Sequence, residues 1–222
     1  YLLHLIDKKG ELKLTQKGFL PTKVVSELYH QGFIKEEFIE NGISKLYKET
    51  DADSINLTRI LIELAGLTKK RHGKLSLTKS SKKILADNHE LFRQILLAFT
   101  GKFNWAYYDG YGDNEVGRFG AGFSMILLSK YGHKPRPDSF YAEKYFKAFP
   151  QLLETLKPTY DSLENYAANC YSLRTFNRFL DYFGLITIDG GDIALDSVKY
   201  ISKTDLYDRL IKCMPHKTYD NK

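Results

Sequence analysis

Between Lys69 and Lys83 the chain carries seven cations and no acid: Lys69, Lys70, Arg71, Lys74, Lys79, Lys82 and Lys83. His72 lies in the middle of the run, and Ser76, Thr78 and Ser80 add hydroxyl donors. Cations at this density can track a phosphate backbone, with an affinity that falls as salt rises and takes little notice of base sequence. DNA or RNA is the partner such a run points to. A solvated face that keeps the protein soluble is the competing reading.

Two further constellations could do chemistry. Arg174, Asn177 and Arg178 fall at helical spacing, on the side away from Phe176, Phe179 and Phe183. They form a secondary candidate surface, with a salt-bridged exposed helix face as its alternative. Asp109, Asp113 and Glu115 sit in a loop crowded with aromatics and glycine, where converging carboxylates could hold a divalent cation or act as an acid/base pair. No histidine or nucleophile motif accompanies them, and aromatic rings plugged into a core explain the loop equally well. The six histidines are scattered without the pairing of a metal site, and Cys170 and Cys213 have no ligand spacing. No nucleophile elbow, Walker loop or zinc set is present. The residues thus name no cofactor, no metal and no catalytic group.

The elements that must position the basic run lie in Leu61–Leu85. Ile55, Leu57, Ile60, Leu61, Ile62, Leu64 and Ala65 predict a helix buried on more than one side. Gly66 offers a left-handed stop. Leu67-Thr68 opens an extended run, Arg71-His72-Gly73-Lys74 supplies a turn, and Leu75-Ser76-Leu77 alternates with period two. Thr78 then caps a second helix. In a DNA-reading module of this shape, the helix before the hairpin shows polar side chains to base edges. Here only Asn56, Thr58, Arg59 and Glu63 are polar, so sequence-specific readout is not expected.

The same pattern returns at both ends. Gly10-Glu11-Leu12-Lys13-Leu14-Thr15 matches Gly73–Thr78 in type. Phe183-Gly184-Leu185 followed by Gly191-Asp192-Ile193-Ala194-Leu195-Asp196 matches again, with Asp196 in the capping place of Thr78. Three hairpins are therefore expected, at unequal spacing. Elsewhere the patterning predicts helices over 22–31, 34–49 (two short ones), 91–100, 116–132, 141–148, 151–157 and 160–170. Leu173 to Phe183 makes a helix entering the third hairpin. Ile201, Leu206, Leu210, Ile211 and Met214 suggest a closing amphipathic helix.

The fold class is mainly α with short β-hairpins, winged-helix-like modules packed on a central helical bundle. Three segments are expected: 1–88 with two hairpins, 89–170 with the aromatic–glycine loop, and 171–222 with the last hairpin, unless all form one compact unit. A net charge of +6 and a pI near 9.0 permit an anionic partner without demanding one. No apolar run reaches membrane-spanning length, and two isolated cysteines suit a reducing cytoplasm. The chain opens on Tyr1 inside an apolar stretch, which suggests a longer protein with an upstream domain.

The hairpins resemble winged-helix domains. More narrowly, LKLTQKGFLP, the LAGL…GKLSLT hairpin, YYDGYGD and YAEKYFKAFP are similar to an uncharacterised bacterial family often attached to a plasmid-ORF-3-like or SEC-C domain. That resemblance implies a helical fold with wings and no catalytic residues. The expected function is non-enzymatic, with nucleic-acid contact through Lys69–Lys83. A protein-interaction or scaffold module is the rival, and a hydrolase or metal site at Asp109, Asp113 and Glu115 is the third reading.

Overall fold

The computed structural model describes residues 1–158, 160–190 and 198–214. They fall into two compact units, Tyr1–Phe103 and Asn104–Lys222. In order, the first unit contains α1 (Leu2–Lys9), β1 (Leu12–Lys13), α2 (Thr22–Tyr29), α3 (Glu37–Glu40), α4 (Asp53–Leu64), β2 (Thr68–Arg71), β3 (Lys74–Leu77), α5 (Lys79–Ile84) and α6 (Asn88–Lys102). Leu2, Leu3, Leu5 and Ile6 of α1 enter a core shared with Leu12, Val25, Ile62, Leu67, Leu75 and Leu77. The sheet has strand order β1-β3-β2, all antiparallel.

Local chemistry sets the edges of the central hairpin. Gly66 at φ 69° ends α4, and Leu67 N–H closes back on Ile62 O at 2.9 Å while Gly66 N–H reaches Glu63 O. This is the paired closure that a left-handed glycine allows. His72 and Gly73 both hold positive φ, 49° and 69°, so a two-residue turn matches the twist of β2 and β3. Thr78 caps α5 by accepting from Ser81 N–H, and its own hydroxyl donates to Gly66 O at 2.9 Å.

The second unit contains α7 (Ala121–Tyr131), β4 (Arg136–Pro137), α8 (Asp138–Ala148), α9 (Leu163–Ser172), β5 (Ile186–Asp189), β6 (Tyr200–Lys203) and α10 (Asp205–Leu210). A wider π-helical stretch, Leu173–Asp181, continues α9. Its core is aromatic, with Tyr141, Tyr145, Tyr171, Phe176 and Phe179 fully buried. The sheet order is β4-β6-β5. Helix, strand, helices and hairpin therefore recur in the same order, with α2, α3 and α4 before the first hairpin and α8 and α9 before the second, and with the first strand added beside the last.

The correspondence reaches single hydrogen bonds. Gly184 at φ 67° stands where Gly66 does, and Leu185 N–H closes on Leu180 O at 2.9 Å. Thr204 stands where Thr78 does, accepting from Tyr207 N–H and donating to Gly184 O at 2.8 Å.

Mainly α with short hairpins holds, but the three-hairpin expectation does not. Gly10–Thr15 forms no hairpin: Lys8 and Lys9 belong to α1, which leaves no preceding strand. β1 finds its partner some sixty residues on, with Leu12 opposite Leu75. The last hairpin pairs β5 with Tyr200–Lys203, so its second strand lies beyond Gly191–Asp196. The expected strand and the Asp196 cap lie outside the described residues, and Thr204 does the capping there. Ile201 belongs to a strand, and the closing helix is confined to Asp205–Leu210. α6 lies in the first unit, and residues from Asn104 on lie in the unit that holds the last hairpin. α7 begins at Ala121 where the spacing suggests 116.

Candidate nucleic-acid interface

The central hairpin presents its cations outward. Thr68 points in, while Lys69, Lys70 and Arg71 are exposed. On β3, Leu75 and Leu77 alternate inward and Lys74 faces solvent. The ladder sets Arg71 opposite Lys74, and Lys74 opposite Lys13 of β1. Directly opposed residues share one face of a sheet, and like charges so placed repel. Three cations thus form a row across the strands, eased by Glu11, which pairs with Lys74. Sequence reading left Lys13 out of the site because its membership depends on a long-range strand pairing.

Not every cation is free. Lys70 Nζ donates to Gly18 O at 3.3 Å, which ties the hairpin to the loop after β1. Lys69, Arg71, His72, Lys79, Lys82 and Lys83 are exposed, and none makes a side-chain hydrogen bond or ion pair with another described residue. Lys79, Lys82 and Lys83, at i, i+3 and i+4, share one side of α5.

α4 does not supply base-reading side chains. Arg59 is buried and donates to Glu49 at 2.5 Å and Glu63 at 2.6 Å, with Glu49 fully buried. Glu49 also accepts from Leu20 N–H at 2.6 Å. Asn56 is buried too, and Thr58 donates to Ser54 O.

Arg174 and Arg178 do not form the exposed surface their spacing suggests. Arg174 is fully buried. It pairs with Asp109 and donates to Gly112 O at 2.8 Å, Asn114 O at 2.9 Å and Asn114 Oδ1 at 2.6 Å. Arg178 donates to Tyr107 O and, at 2.8 Å, to Tyr108 O, while Asn177 accepts from Lys199 at 3.1 Å. The π-helical stretch has more residues per turn than an α-helix, so faces drawn from α spacing misplace these side chains. A glycine-rich loop without its own ladder must send its carbonyls somewhere, and the two guanidinia receive them.

The carboxylates are divided by the same arrangement. Asp109 is buried against Arg174, Glu115 takes Arg118 on the surface at 2.6 Å, and Asp113 is exposed. Among the described residues no three His, Cys, Asp or Glu side chains gather where a metal could be held. Burial pushes the Cys170 thiol up to about 12, the mark of a packing residue, while Cys213 is exposed. No helix among the described residues is long and apolar enough to cross a membrane.

The fold is thus mainly helical, with one small three-stranded sheet in each unit. Residues 1–90, most of the first unit, match the model of an uncharacterised family, the Y4jL N-terminal domain. No curated protein and no solved structure matches the chain.

Proposed function

We propose that this is a non-enzymatic, sequence-blind nucleic-acid-binding protein built from two winged-helix modules in tandem. The order helix–strand–helices–strand–strand, with the first strand beside the third, supports the winged-helix reading of both units. The observation that carries the ligand is the row Lys13–Lys74–Arg71, with Lys69 and His72 exposed beside it. Sequence-blindness is supported by α4, whose Arg59 is committed to Glu49 and Glu63.

Fluorescence anisotropy with a duplex of about 20 base pairs tests this. The affinity of the chain should fall with salt on a log–log slope of roughly 0.9 per phosphate contacted. Replacing Lys69, Lys70, Arg71 and Lys74 together by Gln should flatten that slope by several contacts. An unchanged slope refutes the wing.

One observation favours a protein-interaction module as second reading. Phe33, Phe38, Ile43 and Tyr47 are 75%, 56%, 65% and 63% exposed within one short stretch of the first unit. Neighbouring exposed apolar side chains mark interaction surfaces. In that reading the wing quadruple variant leaves partner binding intact.

A further inference from the structure

The second unit has a group of cations that sequence reading did not single out. Arg136 of β4 stacks its guanidinium 4.7 Å from the centre of the Phe140 ring. Lys144 of α8 places Nζ 4.6 Å from the same centre and 5.3 Å from that of Tyr131. Lys130, near the end of α7, stands 5.2 Å from Tyr131. The two rings meet edge to face at 5.2 Å. His133 and Lys134, both exposed, lie on the link from α7 to β4.

No counter-charge is paired with these cations among the described residues. Among the described residues Arg136, Lys144 and Lys130 have no ion pair, and Arg136 Nε is buried without a hydrogen-bond partner. The other arginines that are not fully exposed all have oxygen partners: Arg59 has Glu49 and Glu63, Arg174 has Asp109, and Arg178 has two carbonyls. Of the two acids of β4–α8, Asp138 is engaged by Ser172 at 2.7 Å and by Ser139 N–H, while Glu143 is exposed and forms no ion pair with Lys144. A ring face attracts a cation without neutralising it. Arg136 and Lys144 share one ring, so their charges lie within about one Debye length, roughly 10 Å at 0.1 M salt. Holding them there unpaired costs energy that an anion would relieve.

We propose that Arg136, Lys144 and Lys130 form a phosphate-binding site in the second unit that takes the backbone of a nucleic-acid strand. The site shares with the wing the reading of the ligand as nucleic acid, and it uses none of the wing's residues. The rings beside the cations supply apolar surface for sugar and base, the usual companion of charge in single-strand grooves. That pairing favours a polymer over a free phosphate.

The full chain should be titrated with a single strand of about 20 nucleotides, across a salt series, and with pyrophosphate. The R136Q/K144Q variant should weaken strand binding by about fivefold or more and lower the log–log slope by roughly 1.4, two single-strand contacts. K130Q/K144Q leaves the buried guanidinium in place, so it carries the same test should R136Q unfold the unit. K157Q/K212Q removes the same charge from exposed positions outside α8 in the same unit and should have little effect. Equal losses in R136Q/K144Q and K157Q/K212Q reduce the effect to net charge and overturn the site. Pyrophosphate binding as tight as strand binding, and lost in R136Q/K144Q, overturns the strand assignment. If the wing quadruple variant loses binding while both cluster variants keep it, the wing stands and this site falls. The converse result upholds this site and removes the wing. No binding by the unaltered chain in low salt overturns both.

Discussion

Arg174 donates through Nε to Asp109, sixty-five residues earlier, and both side chains are fully buried. The pair ties the π-helical stretch to the aromatic–glycine loop, while the rest of the guanidinium satisfies loop carbonyls. Breaking a buried pair from one side leaves an uncompensated charge, at a cost of about 3–5 kcal/mol. Asp109→Ala should therefore destabilise the second unit by that order. Trp105, the single tryptophan, is buried in the same unit and reports its unfolding by fluorescence in urea. A loss below about 1 kcal/mol would mean the carbonyls alone hold Arg174.

The sequence revealed features governed by near neighbours and concealed those closed over long distances. Gly66, the His72-Gly73 turn and the Thr78 cap are set by adjacent residues, and each was legible. β1 could be misread as half of a hairpin because its alternation is genuine while its partner, β3, lies far along the chain. The burial of Arg174 was hidden twice, by helical geometry that departs from α spacing and by a loop whose carbonyl needs no periodicity reports. A loop dense in glycine, followed later by arginines set among aromatics, is the one signal that could have raised it. The cluster at Arg136 escaped for a similar reason, since Lys130, Arg136 and Lys144 are dispersed in the sequence and meet only through the Tyr131–Phe140 ring contact.

Thr78 and Thr204 should behave as equivalents. Each caps a helix and donates back to the glycine that ends the helix before its hairpin. Losing an N-cap hydroxyl costs about 1–2 kcal/mol. Thr78→Ala and Thr204→Ala should each remove that much, one from each unit. Hydrogen exchange resolved by residue assigns the loss, with T78A raising exchange around α5 and T204A around α10. Uniform exchange increases in both variants would contradict the assignment of one cap to each unit.

Glu90 gives the first unit an acid-sensitive contact. Arg93 donates to both carboxylate oxygens at 2.7 Å and Gln94 adds a third bond at 3.0 Å. Arg93 first, then Gln94, holds the carboxyl at about 2 against an ordinary 4.5. A carboxyl depressed on folding stabilises the folded form above its unfolded value, and that share is lost as pH falls through the folded one. The contribution should thus be complete above pH 4.5 and gone below about 2. Carboxyl titration by NMR checks the midpoint, and Glu90→Gln should flatten the acid limb of stability in this window. An identical acid limb in E90Q would remove the contact from the account.

Glu49 and Arg59 separate stability from binding. The buried Glu49 accepts from Leu20 N–H at 2.6 Å and from Arg59 at 2.5 Å, which joins α4 to the segment entering α2. Glu49→Ala orphans both donors and should cost about 3–5 kcal/mol, seen by far-UV circular dichroism in denaturant. E49Q/R59M keeps an acceptor for Leu20 while removing both charges, so it should recover most of that loss, since replacing a buried pair by uncharged groups is often nearly neutral. Because Arg59 faces the interior and not a ligand, the folded double variant should bind duplex with unchanged affinity and salt slope. A slope lowered by about one contact would place Arg59 on the phosphate backbone and return α4 to the interface.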